Sequence, residues 1–143
     1  MIIIVTGTPG TGKTTVAKKI AKEKGIKYID VNNIISKYKL SEGYDRKRKT
    51  KIVDTDKLNK ILIKIIKENK GLVIDSHLSH YLPKRYVDLC IVTKCSLKEL
   101  KARLEKRKYS KAKVRENLDA EIFDTCRVEA IEKGHKVGTT YTD

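Results

Sequence analysis

Residues 7–14 read Gly7-Thr8-Pro9-Gly10-Thr11-Gly12-Lys13-Thr14, a complete G-x-x-x-x-G-K-T pattern. The apolar run Ile2-Ile3-Ile4-Val5 precedes it, and a helix-like stretch from Thr15 to Lys24 follows. That context constrains the fold more than the letters do. A strand has to deliver the loop to one edge of a sheet, and a helix has to begin where the loop ends. Backbone N–H groups then converge on an anion, reinforced by the positive end of the helix dipole. Glycines let the backbone take angles and approach distances that a side chain would block. Lys13 is the candidate for the terminal phosphates, and the Thr14 hydroxyl for a magnesium ion. The pattern implies a chain that binds a nucleoside triphosphate.

A length of 143 residues suits one domain with a real core. No stretch approaches the roughly 20 apolar residues of a membrane span. No charged segment precedes the first apolar run, so no signal peptide is read. Cys90, Cys95 and Cys126 are odd in number and lack a C-x-x-C pair. They read as reduced thiols of a cytoplasmic protein. The net charge of +15 has two readings. One is a polyanionic partner such as RNA. The other is the lysine-rich surface of a protein that works hot, although the acids here are too few for balanced ion-pair networks.

Apolar runs alternate with helical patterns, the signature of a parallel sheet with crossover helices. Strands are predicted at 2–5, 27–29, 71–74 and 88–92, with a weaker one at 136–141. Helices are predicted at 13–24, 31–37, 55–69, 97–106 and 112–133. The third carries Leu58, Ile61, Leu62, Ile65 and Ile66 on one face, with Asp54 or Thr55 as its cap. Residues 38–51 are polar, contain Gly43 and read as a long irregular segment, which in a compact domain points to function.

The run Leu72-Val73-Ile74 ends in Asp75. Parallel sheets bind ligands at the carboxyl ends of their strands, so Asp75 is placed to hold magnesium through water. His77 follows closely and is expected to touch phosphate, a water or Asp75. His80 reads as a surface loop residue and His135 as a cation at a helix end. Arg103 and Arg107 share a helix face at i, i+4. They either neutralise phosphate charge or form a solvated basic face.

A signalling GTPase would carry N-K-x-D, which this chain lacks. AAA-type motors usually place an acidic pair at the second motif, whereas Ser76 follows Asp75. A small kinase fits better, with one irregular segment as an acceptor-binding flap and a later basic one as a lid. At this point the chain resembles the adenylate kinase isoenzyme 6 family, small nuclear or archaeal adenylate kinases that also act as ribosome-assembly ATPases. The phosphate loop, Tyr28-Ile29-Asp30-Val31, Gly43-Tyr44-Asp45, Val53-Asp54, Val73-Ile74-Asp75-Ser76-His77 and Arg103 to Tyr109 carry the resemblance. Glu116-Asn117 and Glu121-Ile122-Phe123 complete it.

The resemblance implies an α/β, three-layer phosphate-loop fold of the nucleoside monophosphate kinase type, with a five-stranded parallel sheet and helices on both faces. It implies a single domain over 1–143, with 30–53 as the monophosphate-binding segment and 106–116 as the lid. Gly10, Gly12, Lys13, Thr14 and Thr15 match the ATP phosphate site, and Arg107 the lid arginine that contacts ATP. Asp75 and His77 match a D-x-H motif implicated in catalysis. Asp30, Asn33, Tyr44, Asp45 and Arg103 are the substrate-binding candidates. The implied reaction transfers phosphate from ATP to AMP with magnesium, alongside ATPase activity in small-subunit maturation. The implied partners are a uS11-type ribosomal protein and small-subunit rRNA. Two departures stand out. Arg46-Lys47-Arg48-Lys49-Thr50-Lys51 is basic where eukaryotic relatives tend to be acidic. It suits AMP phosphate, rRNA or a solvated flap. The chain also ends at Asp143, where the family continues with an adenine-contacting loop and a final helix. Either the chain is shortened or its adenine binding is incomplete.

Overall fold

Successive residues of a strand face opposite sides of a sheet, and the first strand, β1 (Ile2–Gly7), is buried along its whole length. A strand apolar on both faces belongs at the centre of a sheet covered twice. The computed structural model describes residues 1–45 and 50–143, with only the backbone of residues 44, 45, 50 and 51. In it β1 lies between β5 (Leu72–Asp75) and β6 (Leu89–Lys94), with β2 (Lys27–Asp30) and β7 (Val137–Tyr141) at the edges. The order is β2-β5-β1-β6-β7 and every pairing is parallel. This is the expected five-stranded parallel sheet with helices on both faces.

Ile2 and Ile4 point to one face, where they meet Leu58 and Leu62 of α3 (Thr55–Lys67), Val31 and Ile35 of α2 (Val31–Lys37) and Ala130 of α6 (Thr125–Glu132). Ile3 and Val5 point to the other, against Ala17 and Ala21 of α1 (Lys13–Lys24). A third cluster joins Leu100 and Leu104 of α4 (Leu97–Lys106) to Val114 of α5 (Lys111–Ile122). Asp54 caps α3 by accepting from the N–H groups of Asp56 and Lys57. Ser96 and Ser110 cap α4 and α5 in the same way, satisfying donors that a helix start leaves open.

Two expectations give way. Residues 38–51 are not wholly irregular. They contain β3 (Ser41–Asp45) and the first half of β4 (Thr50–Val53), paired antiparallel as a separate two-stranded sheet. Charged residues among their positions hide the period-two pattern. The single helix expected over 112–133 is two helices, α5 and α6. The chain turns at Asp124, whose φ of 55° is left-handed. Aspartate tolerates that conformation, and Lys94 Nζ holds its carboxylate at 2.7 Å. The break therefore depends on a strand far away in sequence, which no local pattern reports.

Leu62 is fully buried between the sheet and α3. Leu62→Ala is expected to lower the unfolding free energy by about 2–5 kcal/mol in a urea titration. Lys60→Ala, on the exposed side of the same helix, should change it by less than about 0.5 kcal/mol.

Candidate active site

The loop between β1 and α1 is shaped by backbone that only glycine takes easily. Gly7, Gly10 and Gly12 have φ of 151°, 95° and 91°. A Cβ on Gly7 would collide with the hydroxyl and carbonyl oxygens of Thr93 on neighbouring β6. Inside the loop, Thr11 Oγ1 lies 2.6 Å from Thr8 O and 2.7 Å from Thr93 Oγ1. Lys13 folds back so that its Nζ donates to Gly7 O at 3.1 Å. Burial lowers the Lys13 pKa, and the charge of Asp75 works the other way.

Parallel pairing sets Asp75 beside Val5 on one side and Asp30 on the other. Its Oδ2 accepts from Thr14 Oγ1 and from Tyr28 OH, each at 2.8 Å. Burial and then the bond to Asp75 raise the Tyr28 pKa. The loop hydroxyl and the strand-end carboxylate are thus already in contact.

A cleft of about 890 Å³ opens over these groups. Gly10, Gly12, Lys13, Thr14, Thr15, Asp30, Asp75, His77 and Arg107 all line it. His77 is open to the water of the cleft, yet protein surrounds it on most sides. That surrounding, with Lys13 and Lys113 as nearby cations, pushes its pKa down to about 4. The ring is therefore neutral at pH 7. Lys113 also lines the cleft, with its Nζ 4.1 Å from the centre of the Tyr109 ring.

Of the substrate-binding candidates whose side chains are described, Asp30 lines the cleft and Asn33 and Arg103 do not. Asp30 caps α2, its Oδ1 accepting from Asn32 N at 2.9 Å. Asn33 is exposed, and its neighbour Asn32 lines the cleft. Arg103 turns to the outer side of the loop, where its Nη1 donates to Gly10 O at 3.2 Å. The side chains of Tyr44 and Asp45, and the basic run 46–49, lie outside the described residues.

Sequence reasoning missed two buried polar groups behind the site. His80 is not a surface residue: it is 2% exposed and hydrogen-bonds both Thr6 Oγ1 and Glu129 Oε2 at 2.8 Å. Tyr81 OH donates to the same Glu129 oxygen at 2.6 Å. His135, just past the end of α6, is buried and not in solvent, with its Nε2 bonded to His80 O at 2.8 Å. The second group centres on Glu121, 7% exposed. It accepts from Thr8 Oγ1, Lys94 Nζ and Cys95 N. Burial opposes the Lys94 ammonium, but Asp124 and Glu121 outweigh it and raise its pKa. The signal for Glu121 was its place in the Glu121-Ile122-Phe123 match; for His80 there was none.

A family model described as an AAA domain matches residues 3–124, a span that includes the loop, Asp75 and α5. The chain is 41% identical over 143 residues to a protein of Methanocaldococcus jannaschii named "Putative adenylate kinase". That alignment covers 100% of this chain and 79% of the relative. It is 39% identical over 131 residues to an adenylate kinase isoenzyme 6 homolog of Saccharomyces cerevisiae, covering 91% of this chain and 66% of the relative. The chain belongs to the adenylate kinase isoenzyme 6 family. A family homolog from Caenorhabditis elegans is 35% identical, with 91% of this chain and 72% of the relative covered. A solved shikimate kinase from Bacteroides thetaiotaomicron superposes with a TM-score of 0.56 over 93% of this chain and 78% of that one. At 17% identity it attests the fold alone. Membership carries nucleotide-binding, enzymatic activity of the kinase or ATPase kind. Among the described residues no helix is long and apolar enough to cross a membrane.

In this family member the His80 network makes stability depend on pH. Burial lowers the His80 pKa, and Glu129 opposes without prevailing. Burial favours a neutral Glu129, but bonds from Tyr81 and His80 outweigh it and hold its carboxyl below the usual range. Both folded values lie below the unfolded ones, so the unfolded chain binds more protons in acid. The His80 contribution is complete above about pH 6.5 and is lost as pH falls below it. Thermal midpoints should drop between pH 7 and pH 5, and His80→Gln, with no titrating ring, should flatten that slope. An unchanged slope in the variant would remove His80 as its source.

Proposed function

We propose that this protein transfers the γ-phosphate of Mg-ATP to AMP, yielding two ADP. The observation that supports this most is convergence in one cleft. Lys13, Thr14, Asp75, His77 and Arg107 line it together with Asp30, Asn32 and Val53 of the segment expected to hold the monophosphate.

The residues present fit a magnesium ion. A hydroxyl and a carboxylate oxygen, 2.8 Å apart, face the cleft, and hard oxygen donors are what this ion takes. Thr14 and Asp75 would hold it, Asp75 through water. When bound, magnesium neutralises charge on the β- and γ-phosphates. Lys13 binds the terminal phosphates, its ammonium lying within the loop and beside Gly7 O. Arg107, at the end of α4, adds charge from the lid side. His77 orients the acceptor or a water by hydrogen bonding. An AMP phosphate oxygen forms the new bond to the γ-phosphorus, and the bridge to the β-phosphate breaks. The acceptor oxygen is already anionic, so no general base is required.

A second reading is favoured by the net charge of +15. In it, ATP binding and hydrolysis switch an assembly factor that contacts small-subunit rRNA and a uS11-type ribosomal protein in the cytoplasm. Kinase activity is then secondary, and residues 46–51 supply a basic contact.

ADP production from Mg-ATP, with and without AMP, separates the two. Strong AMP dependence, at two ADP per ATP consumed, supports the kinase. ADP formation indifferent to AMP supports the switch. Lys13→Ala should cut turnover by roughly 10²–10³ in either case. Full turnover by a folded Lys13→Ala protein would sink both readings.

A further inference from the structure

Thr142, just past β7, belongs to none of the groups that line the cleft. It nevertheless touches the phosphate loop. Its hydroxyl donates to Thr11 O at 2.7 Å and accepts from Arg103 Nη1 at 3.0 Å. Arg103 Nη1 also reaches Gly10 O at 3.2 Å, and its Nη2 donates to Thr142 O at 2.9 Å. The assembly is fixed from outside. Thr142 N donates to Lys94 O at 2.9 Å, Ser96 N donates to Asp143 Oδ2 at 3.0 Å, and Glu99 Oε1 holds Arg103 Nε at 3.0 Å.

A trans peptide is planar, so its C=O and the next N–H point in opposite directions. Thr11 O points outward to Thr142, so Gly12 N–H points inward, toward the cleft. Gly10 O likewise points outward to Arg103, while Thr11 N–H closes the loop on Thr8 O at 3.1 Å. A Cβ added to Gly12 would stand 3.4 Å from Thr142 Cγ2, so the two segments are in close contact.

We propose that Thr142 is a positioning residue for the phosphate loop. With Arg103 it holds two loop carbonyls outward and so aims the Gly12 N–H at the bound phosphates. The inference rests on the reading that this loop binds a triphosphate, and it gives Arg103 a task separate from binding the acceptor substrate.

The test is calorimetry on the full chain with two probes. One is a magnesium-bound ATP analogue whose γ-phosphate cannot be transferred; the other is inorganic tripolyphosphate, which has no base. Thr142→Val removes the hydroxyl at nearly constant shape, and Thr142→Ser retains it. One neutral hydrogen bond implies a loss of about five- to tenfold in affinity. Thr142→Val should weaken both probes by that factor, with Thr142→Ser within about twofold of the parent. In turnover assays Thr142→Val should raise the KM for Mg-ATP while leaving the KM for AMP unchanged, a split that general loosening would not give. Equal binding by Thr142→Val and the parent overturns the inference. So does equal weakening by Val and Ser, or a loss confined to the analogue with its base. If Thr142→Val does not fold, Arg103→Lys applies the same test, because an ammonium lacks the planar fork that spans Gly10 O and Thr142. Undiminished tripolyphosphate binding by Arg103→Lys would then overturn it. Failure of the parent to bind either probe would instead overturn the triphosphate reading itself.

Discussion

The hydrogen bond from Thr14 to Asp75 joins residues 61 positions apart, and it exists only because β1 and β5 are neighbours in register. The register is held by side chains that have no part in the site. Ile2, Ile4, Leu72 and Ile74 fill one face of the sheet, and Ile3, Val5 and Val73 the other. A slip of one residue along either strand would turn each apolar side chain to the opposite face, against neighbours of a different shape. The same slip would carry Asp75 past the start of α1. Core packing thus fixes the distance on which any phosphate chemistry depends.

Around that contact the sheet brings charge in from several directions. Lys13 comes from the loop, Arg107 from the end of α4 and Lys113 from the first turn of α5. Four acidic groups, Asp30, Asp75, Glu116 and Glu129, line the same cleft. Asp75 accepts from Thr14 and Tyr28, and Glu129 from His80 and Tyr81. A polyphosphate entering the cleft meets the three cations where Asp75 and Glu129 are already engaged with protein donors. The His77 pKa is lowered chiefly by burial, and Lys13 and Lys113 add to that effect.

What the sequence revealed, and what it withheld, divides along a physical line. The loop, Asp75 and the apolar stripe of α3 were legible because glycine placement and side-chain period are local properties. Helices α1, α2 and α4 fall at their expected bounds for that reason. The turn at Asp124, the burial of His80 and the contacts of Glu121 were not legible. Each depends on a partner at least 26 positions away, such as Lys94, Thr6 or Cys95. The β3–β4 hairpin was hidden differently, by charged residues spread through both strands.

Glu121 has a mechanical consequence. It closes the C-terminal end of α5, and its carboxylate is fastened to Thr8 of the loop, to Lys94 of β6 and to the backbone at Cys95. At the other end of the segment, α4 is clamped by buried Leu100 and Leu104. The connection between α4 and α5 is short, and Lys108 within it has a φ of 60°, in the left-handed region. The two helices that flank this turn are therefore each tied down, α4 through Leu100 and Leu104 in the core and α5 through Glu121 to the phosphate loop and β6.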